Sequence, residues 1–304
     1  MKKNISYGLV CFCIIVLISA CKDDAASTSV DPEAQAIEQV RAQYKSSFEA
    51  TEVSSFNWNG STTNCTAGVM DVDVQSKSLE RINYFRVLAG LPGNIVFKED
   101  WNQKCMEAAL MCHANGQLNH APPANWNCYT DDGKTAAGRS NLSSSPSTRA
   151  MVSYMRDAGG NNQAAGHRRW ILYSRAKTMG HGATSKYDAL WVIGGSEAPD
   201  KMPEYVAWPP KYAPAPFIWP RWTFSVPGGD FINSTVTVTS DGIDIPLTIE
   251  YRNGSFGDPT IVFVPQSIDN ETDGKKYVVE VSNVLLNSGE TKSYKHEVTV
   301  VTVN

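Results

Sequence analysis

Apolar residues recur at helical spacing in the first part of the chain. Ile82, Phe85 and Leu88 lie three residues apart, which predicts one buried face of a helix. Asp31-Pro32 has the form of an N-cap followed by the first helical residue, and predicts a short amphipathic helix over 33–48. The same kind of pattern predicts helices over 99–118 and 147–157, and strands over 94–97, 179–182 and 189–193.

The pattern changes after a segment, 199–222, that holds seven prolines and many aromatic residues. Beyond it, apolar and polar residues alternate, which is typical of half-buried strands. The strands are predicted at 234–239, 260–264, 277–281 and 294–300, with turns at 241–242, 253–254 and 288–289.

These patterns divide the chain into an α+β first domain over 51–198, a connector over 199–222 and a small all-β, Ig-like sandwich over 223–304. The aromatic side chains of the connector predict that it packs along the first domain. We find no catalytic constellation in the β domain, and modules of this kind act as spacers or contact partners. His296 lies in an alternating strand, and we expect it at the surface.

The N-terminus predicts an extracytoplasmic, lipid-anchored protein. Residues 1–20 have a positive start and an apolar stretch too short to span a bilayer, and Ile18-Ser19-Ala20-Cys21 resembles a lipobox with Cys21 as the lipid attachment site. The alternative is an ordinary secretory signal with an incidental cysteine. Residues 21–50 would form a tether and the short helix. The acidic Lys22-Asp23-Asp24 resembles the tag of lipoproteins at the outer membrane or cell surface of Gram-negative bacteria.

Charge and cysteine content narrow the function further. Lys plus Arg is 27 and Asp plus Glu is 31, without a basic block, which argues against a nucleic-acid partner.

Cys105 and Cys112 would lie about 10 Å apart on one helix, too far to bond each other. The preferred pairing is Cys112 with Cys128 and Cys65 with Cys105, and the alternative is buried free thiols.

The candidate chemistry lies between His120 and His167, which are 47 residues apart in the sequence. Ser140, Asn141 and Asp157 lie between them, and each lies at the predicted end of an element. Because polar groups at element ends commonly furnish a cleft, we expect all five to converge on one concave surface. The alternative is that the two histidines are surface loop residues.

The segment 78–193 resembles the CAP superfamily of cysteine-rich secretory, venom antigen and pathogenesis-related proteins. The resemblance rests on four motifs that occur in the family's order. Residues 79–91 resemble the opening helix and 108–120 the second helix, and Arg139-Ser140-Asn141-Leu142 stands where many members have Gly-Glu-Asn. Residues 166–172 resemble a Gly-His-Arg-x-x-Ile-Leu motif and are followed by 179–182, which resembles the next strand. It implies an α/β/α sandwich and an extracellular scaffold that binds a small lipid, a glycan or a protein. Ser140 replaces the family's first glutamate and Asp157 its second, so the site is less acidic than the common pattern.

Two kinds of chemistry fit these residues besides simple binding. His120 and His167 are suitable ligands for a divalent metal such as zinc, although no cofactor is required by the sequence. Ser140, a histidine and Asp157 contain the residue types of a hydrolase acting on envelope polymers or proteins, but the Gly-x-Ser-x-Gly elbow is missing. A ligand-binding scaffold is therefore the main hypothesis and a hydrolase the alternative.

Four residues are candidates for contacts with a ligand in the cleft, and one of them, Asn141, is already among the five above. Asn141 follows Ser140, and the pair could instead anchor a loop. His181 lies between two glycines, and could face either the cleft or a core edge. Trp126 and Tyr129 lie near His120, and could stack on a ligand or pack their own loop against the core.

Overall fold

The computed structural model describes residues 31–254 and 256–303. The predicted signal peptide, the lipobox with Cys21 and the start of the tether lie outside the described residues. In the described part of the chain, no helix is both long and apolar enough to cross a membrane.

Two of the helices begin at aspartate side-chain caps. Asp31 accepts a hydrogen bond from the backbone N of Glu33, with Pro32 in the first turn, and Asp71 likewise caps the helix that carries the Ile82 stripe. The helices are α1 Pro32–Gln43, α2 Val72–Leu88, α3 Glu99–Asn115, α4 Asp131–Ala137, α5 Thr148–Arg156 and α6 Gly166–Ile171.

A mixed sheet forms the middle of the first domain. Its strands are β1 Val96–Phe97, β2 Ser140–Ser143, β3 Thr178–Ala183 and β4 Asp188–Trp191, in the order β1-β3-β4-β2. β1 is parallel to β3, whereas β4 is antiparallel to both β3 and β2. Helices α3 and α4 enclose one apolar core, and α2, α5 and α6 contribute to another. This arrangement of helices and sheet is the α+β architecture that the sequence predicted.

Two glycines in β3 let α3 approach the sheet closely. A Cβ at Gly182 would lie 2.3 Å from the backbone N of Met106, and a Cβ at Gly180 would lie 2.4 Å from the Trp101 Cβ. Because successive side chains of a strand point to opposite faces, His181 between them points away from α3.

The second domain consists of two sheets around one core. One sheet has the order β10-β9-β13-β14-β6, with β8 paired to β13, and the other has the order β11-β12-β7-β5. The strands are β5 Val206–Trp208, β6 Tyr212–Pro214, β7 Trp222–Ser225, β8 Gly229–Asp230, β9 Thr235–Ser240, β10 Ile243–Asp244, β11 Leu247–Arg252, β12 Thr260–Pro265, β13 Lys276–Leu286 and β14 Thr291–Val301. Phe224, Val238, Phe263 and Val298 are buried in this core, so strands of both sheets supply it.

The connector contributes to both domains. Its residues 206–208 pair with β7 and its residues 212–214 pair with β14, so they belong to the two sheets of the second domain. Trp208 and Phe217 are buried in the core of the first domain, where the Phe217 ring lies 5.2 Å from that of Phe85. The segment therefore packs along the first domain, as its aromatic content predicted.

The expectation for His296 was wrong. The residue is 7% exposed, and its Nε2 lies 2.9 Å from the Pro209 carbonyl oxygen, to which it donates. Tyr294 and Val298 lie on the same side of β14 and are buried, while Lys295 and Glu297 are exposed. The alternation already present in the sequence thus assigns His296 to the inner face.

The preferred cysteine pairing was also wrong. Cys65 and Cys128 form a disulfide, with their Cα atoms 4.9 Å apart. Cys105 and Cys112 are buried free thiols in α3, as the alternative had it. Burial raises the pKa of the Cys105 thiol to about 12, so that it stays protonated at neutral pH. The two helical cysteines face an apolar core between α3 and the sheet, which is why neither reaches Cys65 or Cys128.

Candidate functional site

His120 follows the end of α3 and is held by the end of α4. Gly116 ends α3 in the left-handed conformation, with φ of 66°. The Nδ1 atom of His120 lies 3.0 Å from the carbonyl oxygen of Ala137. A carbonyl only accepts, so Nδ1 carries a hydrogen, and in the neutral ring Nε2 is the acceptor nitrogen.

His167 lies in the first turn of α6 and is held by Asp157. The Asp157 carboxylate accepts a 2.7 Å hydrogen bond from the His167 Nδ1 and a 2.9 Å bond from its backbone N. It also accepts from the backbone N of Arg168, at 3.3 Å, and so caps the start of α6. Asp157 is 1% exposed, and its contacts leave Nε2 as the ring nitrogen of His167 that it does not bind.

The two histidines line a cleft with two lobes. One lobe has a volume of about 350 Å³ and the other about 620 Å³. Four residues line both lobes, namely His120, Asn161, Asn162 and His167. The structure therefore brings together two histidines that are distant in sequence, at the junction of the lobes.

The small lobe is mainly apolar, whereas the large lobe has polar and apolar walls in similar measure. The small lobe contains Ser140, Asn141, Ala164, Gly166, Trp170, Val192, Ile193 and Phe256. The polar side of the large lobe has Arg149, Arg156 and four serines, Ser143, Ser144, Ser145 and Ser153, and its apolar side has Leu118, Leu142 and Val152.

Ser140 and Asn141 lie in the small lobe, but neither forms a nucleophile–base pair. Ser140 is 5% exposed, and its hydroxyl lies 3.8 Å from the Cys105 Sγ. None of its hydrogen bonds within the described residues reaches a histidine. Asn141 donates to the His167 carbonyl oxygen at 3.1 Å, which ties β2 to α6. The contact that a serine hydrolase requires is therefore not formed.

His181 does not face the cleft. It is fully buried, its Nε2 lies 2.8 Å from the Asp188 carboxylate, and its ring packs against Phe97. Asp188 also accepts from the Tyr154 hydroxyl at 2.9 Å, and burial, reinforced by Asp188, raises the pKa of Tyr154. Gly180 and Gly182 provide close approach to α3, not to the cleft, so the glycines that suggested a cleft position for His181 have another role.

Trp126 and Tyr129 do not line either lobe. They line a separate depression of about 460 Å³ beside the Cys65–Cys128 disulfide. Trp126 also packs against the core between α3 and the sheet, and the Tyr129 hydroxyl donates to Asp131 at 3.0 Å. Their position fits the packing interpretation of this loop.

The sequence did not reveal three residues that shape the cleft. Trp170 lies about one turn after His167 in α6 and lines the small lobe. Phe256 and Arg221 come from outside the first domain: Phe256 lines the small lobe, and Arg221 donates to the Asp157 carbonyl oxygen. No local pattern links a turn residue of the second domain to a cleft in the first.

Metal ligation by protein side chains would rest on the two histidines. Within residues 31–254 and 256–303, no three His, Cys, Asp or Glu side chains cluster in a way that could hold a metal ion. Each histidine does have its Nδ1 hydrogen bonded to an oxygen, as ligating histidines commonly do. These bonds leave the two Nε2 atoms as the ring nitrogens that could ligate an ion, and its other ligands would have to come from water or a bound molecule.

Comparison with known proteins agrees with the resemblance found in the sequence. No curated protein matches the chain significantly. Residues 79–193 match the family model described as CAP, the cysteine-rich secretory protein family. That segment spans α2 to β4 and includes His120, Ser140, Asp157 and His167, and the match supports a CAP domain in this part of the chain.

Proposed function

We propose that this protein is a lipid-anchored extracytoplasmic binding protein whose CAP domain holds a small ligand in the cleft between His120 and His167. The observation that carries the proposal is that the two imidazoles are held in the same way in one cleft. Each Nδ1 is bonded to a fixed oxygen, and both rings line the same two lobes. Such preorganised acceptor nitrogens in a concave site favour recognition of a ligand.

A thermal-shift screen tests this proposal. Panels of lipids, glycan fragments and peptides would be added to the wild-type protein and to a His120→Ala/His167→Ala variant. A ligand of the cleft should raise the melting temperature of the wild type and have a much smaller effect on the variant. Ligands that stabilise both forms equally would bind elsewhere and would overturn the proposal.

A divalent metal would form part of this site if His120 and His167 ligate it. An ion such as zinc would be held by the two Nε2 atoms and would supply a positive charge that attracts an anionic or carbonyl group of the ligand. Zinc titration of the wild type, His120→Ala and His167→Ala measures this directly, with His113→Gln as the control. His113 lines neither lobe and packs instead against Trp58. Equal zinc binding by all four proteins would show that the pair is not a metal site.

The lipid anchor is tested by the chemistry of Cys21. A Cys21→Ala variant lacks the lipobox thiol that would be acylated, and we expect the protein to leave the membrane fraction. A variant that fractionates with membranes as the wild type does would contradict the anchor. Ser19→Ala, next to Ala20 in the lipobox, provides a control that keeps the thiol.

A further inference from the structure

We infer that the second domain completes the cleft through Phe256, and that the ligand is an amphiphilic anion whose apolar group lies in the small lobe. This inference rests on the proposed function, because it assigns a ligand class to the same cleft. It also gives the β domain a part in ligand recognition that goes beyond a spacer.

The first argument is the composition of the small lobe. Its apolar walls come from Trp170, Val192, Ile193 and Phe256. Within the described part of the chain, the only titratable side chains that line it are the two histidines. A volume of about 350 Å³ is at the lower end of small-molecule sites. The lobe thus suits one aromatic ring or a short branched chain, not a charged group.

The second argument is the position of Phe256. It comes from the second domain, 37% of its surface is exposed, and its ring lies against α6. A Cβ placed on Gly166 would lie 3.2 Å from the Phe256 Cδ1, so ring and helix are in direct contact. An aromatic ring held partly open at the edge of an apolar lobe can bury further area against a ligand.

The third argument is the way in which the turn that carries Phe256 is fastened. The Arg169 guanidinium donates to the carbonyl oxygens of Asn253, at 2.9 Å, and Asp258, at 3.0 Å. Gly257 has φ of 61°, and a Cβ there would lie 2.8 Å from the Arg169 carbonyl oxygen, so only glycine lets the turn come this close. Arg169 is two residues from His167 on α6, and the position of Phe256 is therefore fixed relative to that histidine.

The fourth argument is the charge of the large lobe. In the part of the chain that the structure describes, its lining includes Arg149 and Arg156 and no carboxylate side chain. Glu52 lies 3.6 Å from Arg149 and offsets part of one charge, whereas the structure assigns Arg156 no ion-pair partner among the described residues. Together with the serine hydroxyls, these cations favour an anionic end on a ligand that extends from the small lobe past the histidines.

The test uses the fluorescent probe 8-anilinonaphthalene-1-sulfonate, which joins aromatic rings to one negative charge. The protein would be the chain from residue 31 to 304, which contains every described element. We expect saturable binding that Phe256→Ala weakens by up to about tenfold, the free-energy range of an aromatic contact. Ile243→Ala is the control, because this residue is 71% exposed on β10 and lines neither lobe. Gly166→Ala, which pushes on the Phe256 ring from the other side, should also weaken binding.

Competition tests the charge. 4-Phenylbutyrate should displace the probe at lower concentration than the neutral 4-phenylbutan-1-ol, and Arg149→Gln/Arg156→Gln should remove that difference. Equal competition by the two compounds with the wild type would overturn the anionic part of the inference.

The outcomes separate this inference from the proposed function. Binding that is weakened by Trp170→Ala and His167→Ala but not by Phe256→Ala would overturn the role of the second domain and leave the cleft as the site. Binding that no cleft variant changes would overturn both.

Discussion

Asp157 holds His167 by two hydrogen bonds, one to the ring at 2.7 Å and one to the backbone at 2.9 Å. Asp157 itself ends α5 in the left-handed conformation, with φ of 50°, and its carbonyl oxygen accepts from Arg221 of the neighbouring segment. The orientation of the cleft histidine therefore depends on α5, on α6 and on the connector, whose Arg221 is 64 residues from Asp157 in the sequence.

The first prediction concerns this carboxylate. Asp157→Asn keeps a residue that tolerates the left-handed conformation but removes the charge that binds the Nδ1 hydrogen and the start of α6. We expect a loss of about 1–3 kcal/mol in the free energy of unfolding, since hydrogen bonds to a buried charged acceptor are lost. Any zinc affinity should fall by about 10–100-fold, the usual effect of removing an outer-shell partner.

Urea unfolding and zinc titration measure these two effects. Asp244→Asn, at an exposed position of β10, is the matched control. Unchanged zinc affinity together with lower stability would mean that Asp157 only caps α6.

The second prediction concerns the buried pair of His181 and Asp188. Both side chains are fully buried, and Asp188 also accepts from Tyr154. Asp188→Ala should cost about 3–5 kcal/mol of unfolding free energy, because it leaves buried donors without an acceptor. In a double-variant cycle with His181→Leu, the two changes together should cost less than the sum of the single changes. Strict additivity would show that the two side chains are not coupled.

The third prediction distinguishes the cysteine pairings by counting thiols in the chain from residue 31 onwards. N-Ethylmaleimide at neutral pH should leave the native protein unlabelled, because Cys105 and Cys112 are buried and burial raises the pKa of both thiols. Unfolding without a reductant should give two labels, and unfolding with a reductant four. Mass spectrometry reads the count directly. No labels after unfolding without a reductant would instead support the Cys112–Cys128 and Cys65–Cys105 pairing.

The fourth prediction concerns pH. Burial lowers the pKa of His296 from its ordinary value of 6.5, with a partly opposing effect of the bond to the Pro209 carbonyl. Below pH 6.5 the unfolded chain therefore binds a proton that the folded chain does not, and stability falls as the pH falls towards the lowered value. Above pH 6.5 both states are neutral at this group, so it adds no pH dependence there.

A His296→Gln variant tests this assignment. Glutamine keeps an N–H donor but does not titrate, so the decline of the unfolding free energy below pH 6.5 should become shallower. Lys295→Gln, at the exposed neighbouring position, should leave the slope as in the wild type. An unchanged slope in His296→Gln would mean that another group controls the acid sensitivity.

The sequence by itself determined the elements and much of the cleft. The stripe of Ile82 and Phe85, the Asp31-Pro32 start of α1 and the alternation of the late strands each depend on residues only a few positions apart. Such local signals survive without tertiary information. His120 and His167 could also be singled out, because both lie beside glycines, prolines or small residues at element ends.

Tertiary packing decided what the local pattern leaves open. Which cysteines meet depends on which face of α3 is covered by the sheet, and so Cys65 bonds Cys128 while Cys105 and Cys112 stay in the core. Which way His181 points depends on where α3 comes close to β3, a matter of two glycines and a neighbouring helix. Phe256 enters the cleft only because the second domain packs against α6, and contacts between residues so far apart in the chain follow from packing, not from periodicity.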